Sequence, residues 1–526
     1  MSPKDVRPLP LDAVRDELKL PVQVACIDVG SNAIRFLAVE FDALDRYRVV
    51  DQERAAVRLG HDVFLTGRLT KAAIDAAVSA LTAFAARMAE AGIAVYRCVA
   101  TSAVRESSNA AELIEKVRAE AGLQLEVISG SEEARLIFVA VRQSVELEGR
   151  DWIVADVGGG SVEVLLVDSG GILWSESHTM GSVRLLEELS EAGEEPGRFR
   201  RLLEEYTATL RLPAAAAVRR PSGFVATGGN AETLAQLAGN GGGPGKTSVL
   251  TLEALGAVIE KLSRLSFRQR VEELGLREDR ADVVLPAALV YERLARLSGV
   301  SSLIVPGVGI KEGVLYDLVE AVTTQRAHAD RQERELVAAL VATGRRYMFD
   351  EGHAAQVARL SLGLFDQLRE LHRLSDRDRR ILQAAAWLHD IGGYISYKRH
   401  HKHSMYLIAQ SELPGFSEAE VALAAAVARY HRKSEPSPHH SEFTSLKTGD
   451  QRRLQVLASI LRLADALDRE HSATVRSVRA ETKGGDVVLR LDGKGDLLLE
   501  TWALKRKAPM FERVFETKLR VRNGGE

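Results

Sequence analysis

The 526-residue chain has little cysteine: only Cys26 and Cys98, each inside an apolar run. Two such residues cannot form a disulfide framework, and a reducing cytoplasm is the expected setting. No apolar run approaches the ~18 residues that a membrane span needs. The N-terminal MSPKDVRPLPLDAVRDELKL puts acids and prolines where a signal peptide would be apolar. Charge of one sign is lacking too. The formal net charge is -3, so no global basic field is present to hold nucleic acid, and a polyanionic ligand would need local clusters of cations. What is present is an ordinary globular composition, 46% hydrophobic and 27% charged, over a length that supports several cores.

The pattern along the chain predicts an α/β first part and a helical second part. Residues 1–21 read as a polar N-terminal lead. VQVACIDVG is a buried-strand run ending in a turn, and IRFLAVEF is a returning strand. Helices are expected over 70–92, over 107–121 and from about Glu132, with strands at AVYRCVAT and LEVISG. WIVADVGGGSVEVLLVD repeats the strand–Gly turn–strand unit, and two more such units are read at GFVATGGNAETLA and SSLIVPGVGIKEG. GNGGGPGK (239–246) reads as a flexible loop.

The first two units form an internal repeat. Asp28-Val29-Gly30-Ser31 matches Asp156-Val157-Gly158-Gly159, and Ile34-Arg35-Phe36 matches Val162-Glu163-Val164. A repeat offset of this size marks a duplicated domain. Two similar lobes, 22–145 and 146–322, should therefore face each other across a cleft. Glycine turns let consecutive backbone N–H groups converge on one anion, and an aspartate at the strand end can hold Mg²⁺ against phosphate oxygens. One such turn is equally an ordinary hairpin with a buried aspartate; two in one chain favour a phosphate clamp.

IDVGSNAIRF, ATSAVRES, ISGSEEARLIF, ADVGGGSVEVL and TGGNAETLA, in this order, resemble the exopolyphosphatase/guanosine pentaphosphate phosphohydrolase (Ppx/GppA phosphatase) family, in its long form. The resemblance implies actin-like, ribonuclease H-like lobes of the sugar kinase/Hsp70 superfamily. It also implies an all-α HD-type domain over 330–475 and a small α/β tail over 476–526. It implies Mg²⁺-assisted hydrolysis of a terminal phosphoanhydride of inorganic polyphosphate or guanosine pentaphosphate, with two subunits as a homodimer. By the same resemblance Glu133 is the general base and Glu163 helps to place water and metal. Asp156 and Asp28 meet Mg²⁺, and Arg105 binds the transferred phosphoryl group. Gly30, Ser31, Asn32, Gly158, Gly159, Gly160, Ser161, Gly228 and Gly229 form the phosphate loops.

General physics supports these roles, because phosphoryl transfer needs positioned water and charge neutralisation. The adjacent Glu132 fits another role, since Ser129-x-x-Glu132 is a capping-box pattern. The chain departs from the family at Val162 and Asn230, where threonine is usual. It departs again at Lys311, where an arginine would add a bidentate fork.

After a polar linker at 323–332 the periodicity becomes helical. Ten of the 13 histidines lie at or after His353. His353, the doublet His389-Asp390 and Asp465 follow the order of HD-domain phosphohydrolases, with His403 and His431 as candidates for a second ion. Imidazole with carboxylate suits Mn, Fe, Ni or Zn; the bland alternative is a helical relic that has lost its metal. DVVLRLDGKGDLLLE reads as strands around a Gly turn, and TWALKRKAPMFERVF as a helix. KRHHKH, RYHRK and KRK are local basic clusters, read as a channel for a long polyphosphate or as scattered solvated charge. Two other functions stay open on sequence. One is an actin-like ATPase or kinase, disfavoured by the compact lobes. The other is a non-catalytic nucleotide or polyphosphate sensor, disfavoured by the intact carboxylates.

Overall fold

The computed structural model describes residues 8–147, 151–190, 196–212, 219, 221–240, 246–493 and 496–523. The loop expected at 239–246 lies mostly outside them. The chain divides into two units, Met1–Glu335 and Leu336–Glu526.

The first unit holds two six-stranded sheets. In the first sheet, β2 (Val22–Val29) runs antiparallel to β3 (Ile34–Ala43), which pairs with β4 (Arg46–Ala55). On its other side β2 lies parallel to β5 (Val95–Ala100), whose far edge carries β1 (Leu9–Pro10) and β6 (Leu125–Val127). The second sheet repeats the meander. There β7 (Trp152–Val157), β8 (Val162–Asp168) and β9 (Gly171–His178) are antiparallel, and β7 lies parallel to β10 (Gly223–Thr227). Next to β10 comes β12 (Ser302–Val305), edged by β11 (Ser248–Thr251). The central strands β2, β7 and β10 are near-continuous apolar runs because both faces are covered.

Several expectations are corrected here. Residues 8–21 belong to the first lobe: β1 pairs with β5, and Leu11, Val14 and Leu18 pack on its core. The third and fourth glycine turns run from strand to helix, β10 into Gly229–Leu237 and β12 into Ile310–Thr323. The helix Lys71–Ala91 is, among the described residues, the one long and apolar enough by composition to cross a membrane. Here Thr70 caps it, and a stripe from Ile74 through Leu81 to Met88 is buried in the first lobe's core.

The helix Gly130–Ser144 is buried along nearly its whole length and crosses Ile310–Thr323 closely. A Cβ on Gly313 would stand 1.9 Å from the Leu136 carbonyl oxygen, so only glycine fits that crossing. Ser129 caps the helix by accepting from the Glu132 amide. The Glu132 carboxylate does not return to the cap. It pairs with Arg97 at 3.1 Å and Arg135 at 2.8 Å, and Asp317 closes the network to the same two arginines at 3.1 and 2.9 Å. All four are buried. The ion pairs win over the expected capping box because two buried guanidiniums need matching charge.

In the second unit, helices Glu351–Gln367, Asp376–Leu388, His400–Ala409, Glu418–Arg429 and Thr448–Ala466 surround one apolar core. The stretch expected as a linker is helical from Gln325, within Gln325–Arg346. A three-stranded sheet of β13 (Val475–Lys483), β14 (Asp486–Gly493) and β15 (Leu519–Asn523) shares that core with the helices, as does Leu498–Phe515. The hairpin turns at Gly484-Gly485, both with positive φ, and Leu498-Leu499-Glu500 is helical. The turn expected from sequence therefore lies one strand too late.

Candidate functional site

The two hairpin turns of the repeat meet in one cleft of about 230 Å³. Asp28, Gly30, Ser31 and Asn32 come from the first lobe, and Asp156, Gly158, Gly159, Gly160 and Ser161 from the second. Gly228, Gly229 and Glu133 complete the wall. Each turn is closed by one backbone bond, Gly30 N to Ala33 O at 3.1 Å and Gly158 N to Ser161 O at 3.0 Å. The turns nearly touch, since a Cβ on Gly159 would lie 3.0 Å from Ser31 Cβ. Ser31 and Ser102 share a hydroxyl contact of 3.0 Å.

Glu133 sits in the first turn of its helix, buried, with Arg105 Nη1 donating to its Oε1 at 2.5 Å. Burial pushes its carboxyl up to about 7 despite Arg105, helped by the charges of Asp28 and Asp156. Asp156 accepts from Thr227 Oγ1 at 2.7 Å, and burial raises it as well. Glu163 is raised further, by burial and then by Glu133 and Asp156, while Ser177 donates to it at 2.9 Å. Asp28 differs: Arg35 Nη1 holds its Oδ2 at 2.7 Å.

Two predicted residues stand behind the wall instead of on it. Arg105 does not line the cleft; its guanidinium is spent on Glu133 and on the Ile128 carbonyl at 2.7 Å. Glu163 is 1% exposed and also lies behind. The cations that do line the cleft are Arg35, Arg54, Arg277, Arg280 and Lys311, of which the sequence alone singles out only Lys311. Arg280 donates to Asn230 Oδ1 at 2.5 Å and is pulled down to about 10, first by burial and then by Arg35. Its Nε is buried without a hydrogen bond. Such a guanidinium, crowded by others, suits an anion with several negative oxygens.

Asp156 suits a divalent cation. It has an oxygen donor facing the cleft and no ion pair to a lysine or arginine among the described residues, whereas Asp28 already has Arg35. Hard oxygen donors of this kind match Mg²⁺.

A second cluster lies in the other unit. His353, His389 and Asp465 bring their ligand atoms within 4.8 Å of one another, as do Asp390, His400 and His431. His389 ends the helix Asp376–Leu388, and Asp390 opens the short turn that follows. His403 is not in the cluster. It sits one turn along its helix, with its Cβ against Gly392, and His400 takes the place expected for it. His471 joins from the other side, stacked on His353 at 3.6 Å.

The imidazoles are oriented from behind. His389 Nδ1 faces the Ala386 carbonyl at 2.8 Å, His431 Nδ1 the Ala428 carbonyl at 2.7 Å and His400 Nδ1 the Tyr397 carbonyl at 3.2 Å. His353 Nδ1 faces Asp468 at 2.8 Å. A carbonyl only accepts, so Nδ1 carries the proton and Nε2 turns a lone pair inward. The mixed imidazole and carboxylate set suits a transition ion.

The sequence profile of the Ppx/GppA phosphatase family matches residues 39–322, and that of "Ppx/GppA phosphatase, domain III" matches 332–507. The chain is 28% identical over 447 residues to a guanosine-5'-triphosphate,3'-diphosphate pyrophosphatase of Aeromonas hydrophila, covering 84% of this chain and 86% of that one. The same named enzyme of Aeromonas salmonicida is 28% identical over 448 residues, with 84% and 86% covered. The crystal structure of an exopolyphosphatase from Cytophaga hutchinsonii aligns with a TM-score of 0.53 at 29% identity, over 57% of this chain and 98% of that one.

Proposed function

Because the chain belongs to the Ppx/GppA phosphatase family, we propose that its cleft is a phosphoanhydride hydrolase releasing terminal orthophosphate from inorganic polyphosphate, with guanosine pentaphosphate as the second substrate. The observation that carries this reading is the pairing of Glu133, held near 7, with two glycine turns and five cations around one cleft.

The turns' backbone amides and Arg280, Arg277 and Arg54 receive the terminal phosphates. Glu133 accepts a proton from water, whose oxygen adds to the terminal phosphorus. The bridging P–O bond breaks, and the electron pair leaves with the shortened chain. Arg105 is a positioning residue that fixes the Glu133 carboxylate. Glu163, its carboxyl raised by burial and then by Glu133 and Asp156, stands beside Asp156 and helps to place water and metal. Asp156 would hold Mg²⁺, which when bound neutralises charge on the phosphoryl oxygens. In the second unit, His353, His389, Asp390 and Asp465 would hold a transition ion.

Phosphate release from polyphosphate and from guanosine pentaphosphate, measured side by side with Mg²⁺, tests the reading. Release from at least one is expected, and Asp156→Asn should raise the Mg²⁺ concentration needed. No release from either substrate would overturn it.

A further inference from the structure

Two of the basic clusters in the sequence, KRHHKH and RYHRK, meet in the second unit. Arg399, His401 and Lys402 come from one, Arg429 and Lys433 from the other, and they face Glu442 around a hollow of about 450 Å³. Among the described residues Glu442 is the only acid on its wall, and no Phe, Tyr or Trp lines it. None of the grouped metal-ligand candidates lines it either, nor does any residue of KRK.

Arg429 decides what the hollow can hold. It ends the helix Glu418–Arg429 and is 3% exposed. Its Nε stands 3.3 Å from Glu442 Oε1, yet neither Nε nor Nη1 makes a hydrogen bond. His401, equally buried, leaves Nδ1 without a partner as well. A buried guanidinium with unpaired N–H groups is costly, and an anion beside it removes the cost. Glu442 does this only in part, since its Oε2 accepts from Ser441 Oγ at 3.1 Å. Arg399, Lys402 and Lys433 add charge to the wall with no ion pair of their own among the described residues.

The backbone is a second sign. Arg399 has φ 65° and Lys433 φ 58°, both in the left-handed region. A Cβ is disfavoured there, whereas glycine is at ease. Two long cations kept in strained backbone at one hollow place charge at the expense of stability.

We infer that the hollow binds one phosphate group carrying two negative charges, apart from both the cleft and the histidine cluster. Arg429 Nη1 donates to a phosphate oxygen and leaves Nε to Glu442, while Arg399, Lys402 and Lys433 meet the remaining charge. A carboxylate, with a single charge, would leave most of that wall unanswered. Free orthophosphate and the terminal phosphate of a nucleotide share the required chemistry. The site needs neither hydrolysis in the cleft nor a bound metal.

The test uses the full chain and radiolabelled orthophosphate in equilibrium dialysis, with Arg399→Gly and Lys433→Gly combined in one variant. Sites are counted as the difference between the unsubstituted protein and this variant, so phosphate held in the cleft cancels. The variant should bind at the hollow ~10-fold or more weakly, losing about one phosphate per chain. It should melt no lower than the unsubstituted protein, because glycine accepts positive φ. Glu442→Gln removes the competing charge and should tighten binding. Guanosine monophosphate tells the sources apart: displacing the label at lower concentration than unlabelled orthophosphate assigns a nucleotide, and the reverse assigns the free ion. Equal orthophosphate counts in the two proteins would overturn the site. If binding of long polyphosphate alone were lost from the variant, the hollow would belong to a chain instead. Should the variant melt lower, Glu442→Gln decides, and unchanged affinity there overturns the inference.

Discussion

Arg35 and Glu163 occupy the same place in the two halves of the repeat, each directly across its hairpin from an aspartate. The row continues one strand further. Across β2, β3 and β4 it reads Asp28, Arg35, Arg54; across β7, β8 and β9 it reads Asp156, Glu163, Ser177. One lobe neutralises its aspartate with a guanidinium at 2.7 Å. The other sets a second acid beside it, and burial raises both. The symmetric backbone thus sets a guanidinium beside one lobe's aspartate and a second, buried carboxyl beside the other's.

Glu133→Gln keeps the size of the base and removes its proton affinity. Turnover should fall by ~10²–10⁴ with KM little changed. In the unsubstituted protein kcat/KM should rise with pH through about 7, because Glu133 must be ionised to accept a proton and its carboxyl is held at about 7. A pH–rate profile flat from 6 to 8, or near-normal kcat in the variant, would take the role from Glu133.

The buried four-charge network predicts a stability effect away from the cleft. Asp317→Ala leaves Arg97 and Arg135 short of one shared carboxylate, and removing one partner of such a pair costs about 3–5 kcal/mol. Denaturant unfolding of the first unit should show that loss. A change below about 1 kcal/mol would mean that water reaches the guanidiniums freely.

Gly181 gives a geometric prediction. A Cβ there would stand 2.4 Å from the backbone of Gly159 and Gly160. Gly181→Ala should displace the second lobe's phosphate turn and lower kcat/KM by ~10²-fold, since a shift of about 1 Å suffices for that. Thermal melting measured beside it should change far less than for Asp317→Ala; equal losses would mark a folding defect instead.

Much of the fold is legible in the sequence because buried parallel strands and glycine turns leave strong local signals. β2, β7 and their turns are apolar runs ending in Asp-x-Gly, and the 28/156 match follows from them. β4, by contrast, is RYRVVDQERA, an exposed edge strand whose polar residues carry no strand pattern. Arg54 lies on it, and Arg277 and Arg280 lie in the short segment around Glu278–Ala281. Their meeting in the cleft depends on tertiary packing between lobes, which spacing does not encode. The choice between His400 and His403 escapes the sequence for the same reason: within one helical turn, only the packing against Gly392 decides which ring faces Asp390.

The helix Leu498–Phe515 follows every proposed metal ligand in the chain, yet its Lys507 reaches back to His431 and Asp465. During synthesis the ligands therefore leave the ribosome before the segment that covers them. Lys507 brings its charge beside Asp465 and His431 only once that helix has been made and has packed on the unit's core.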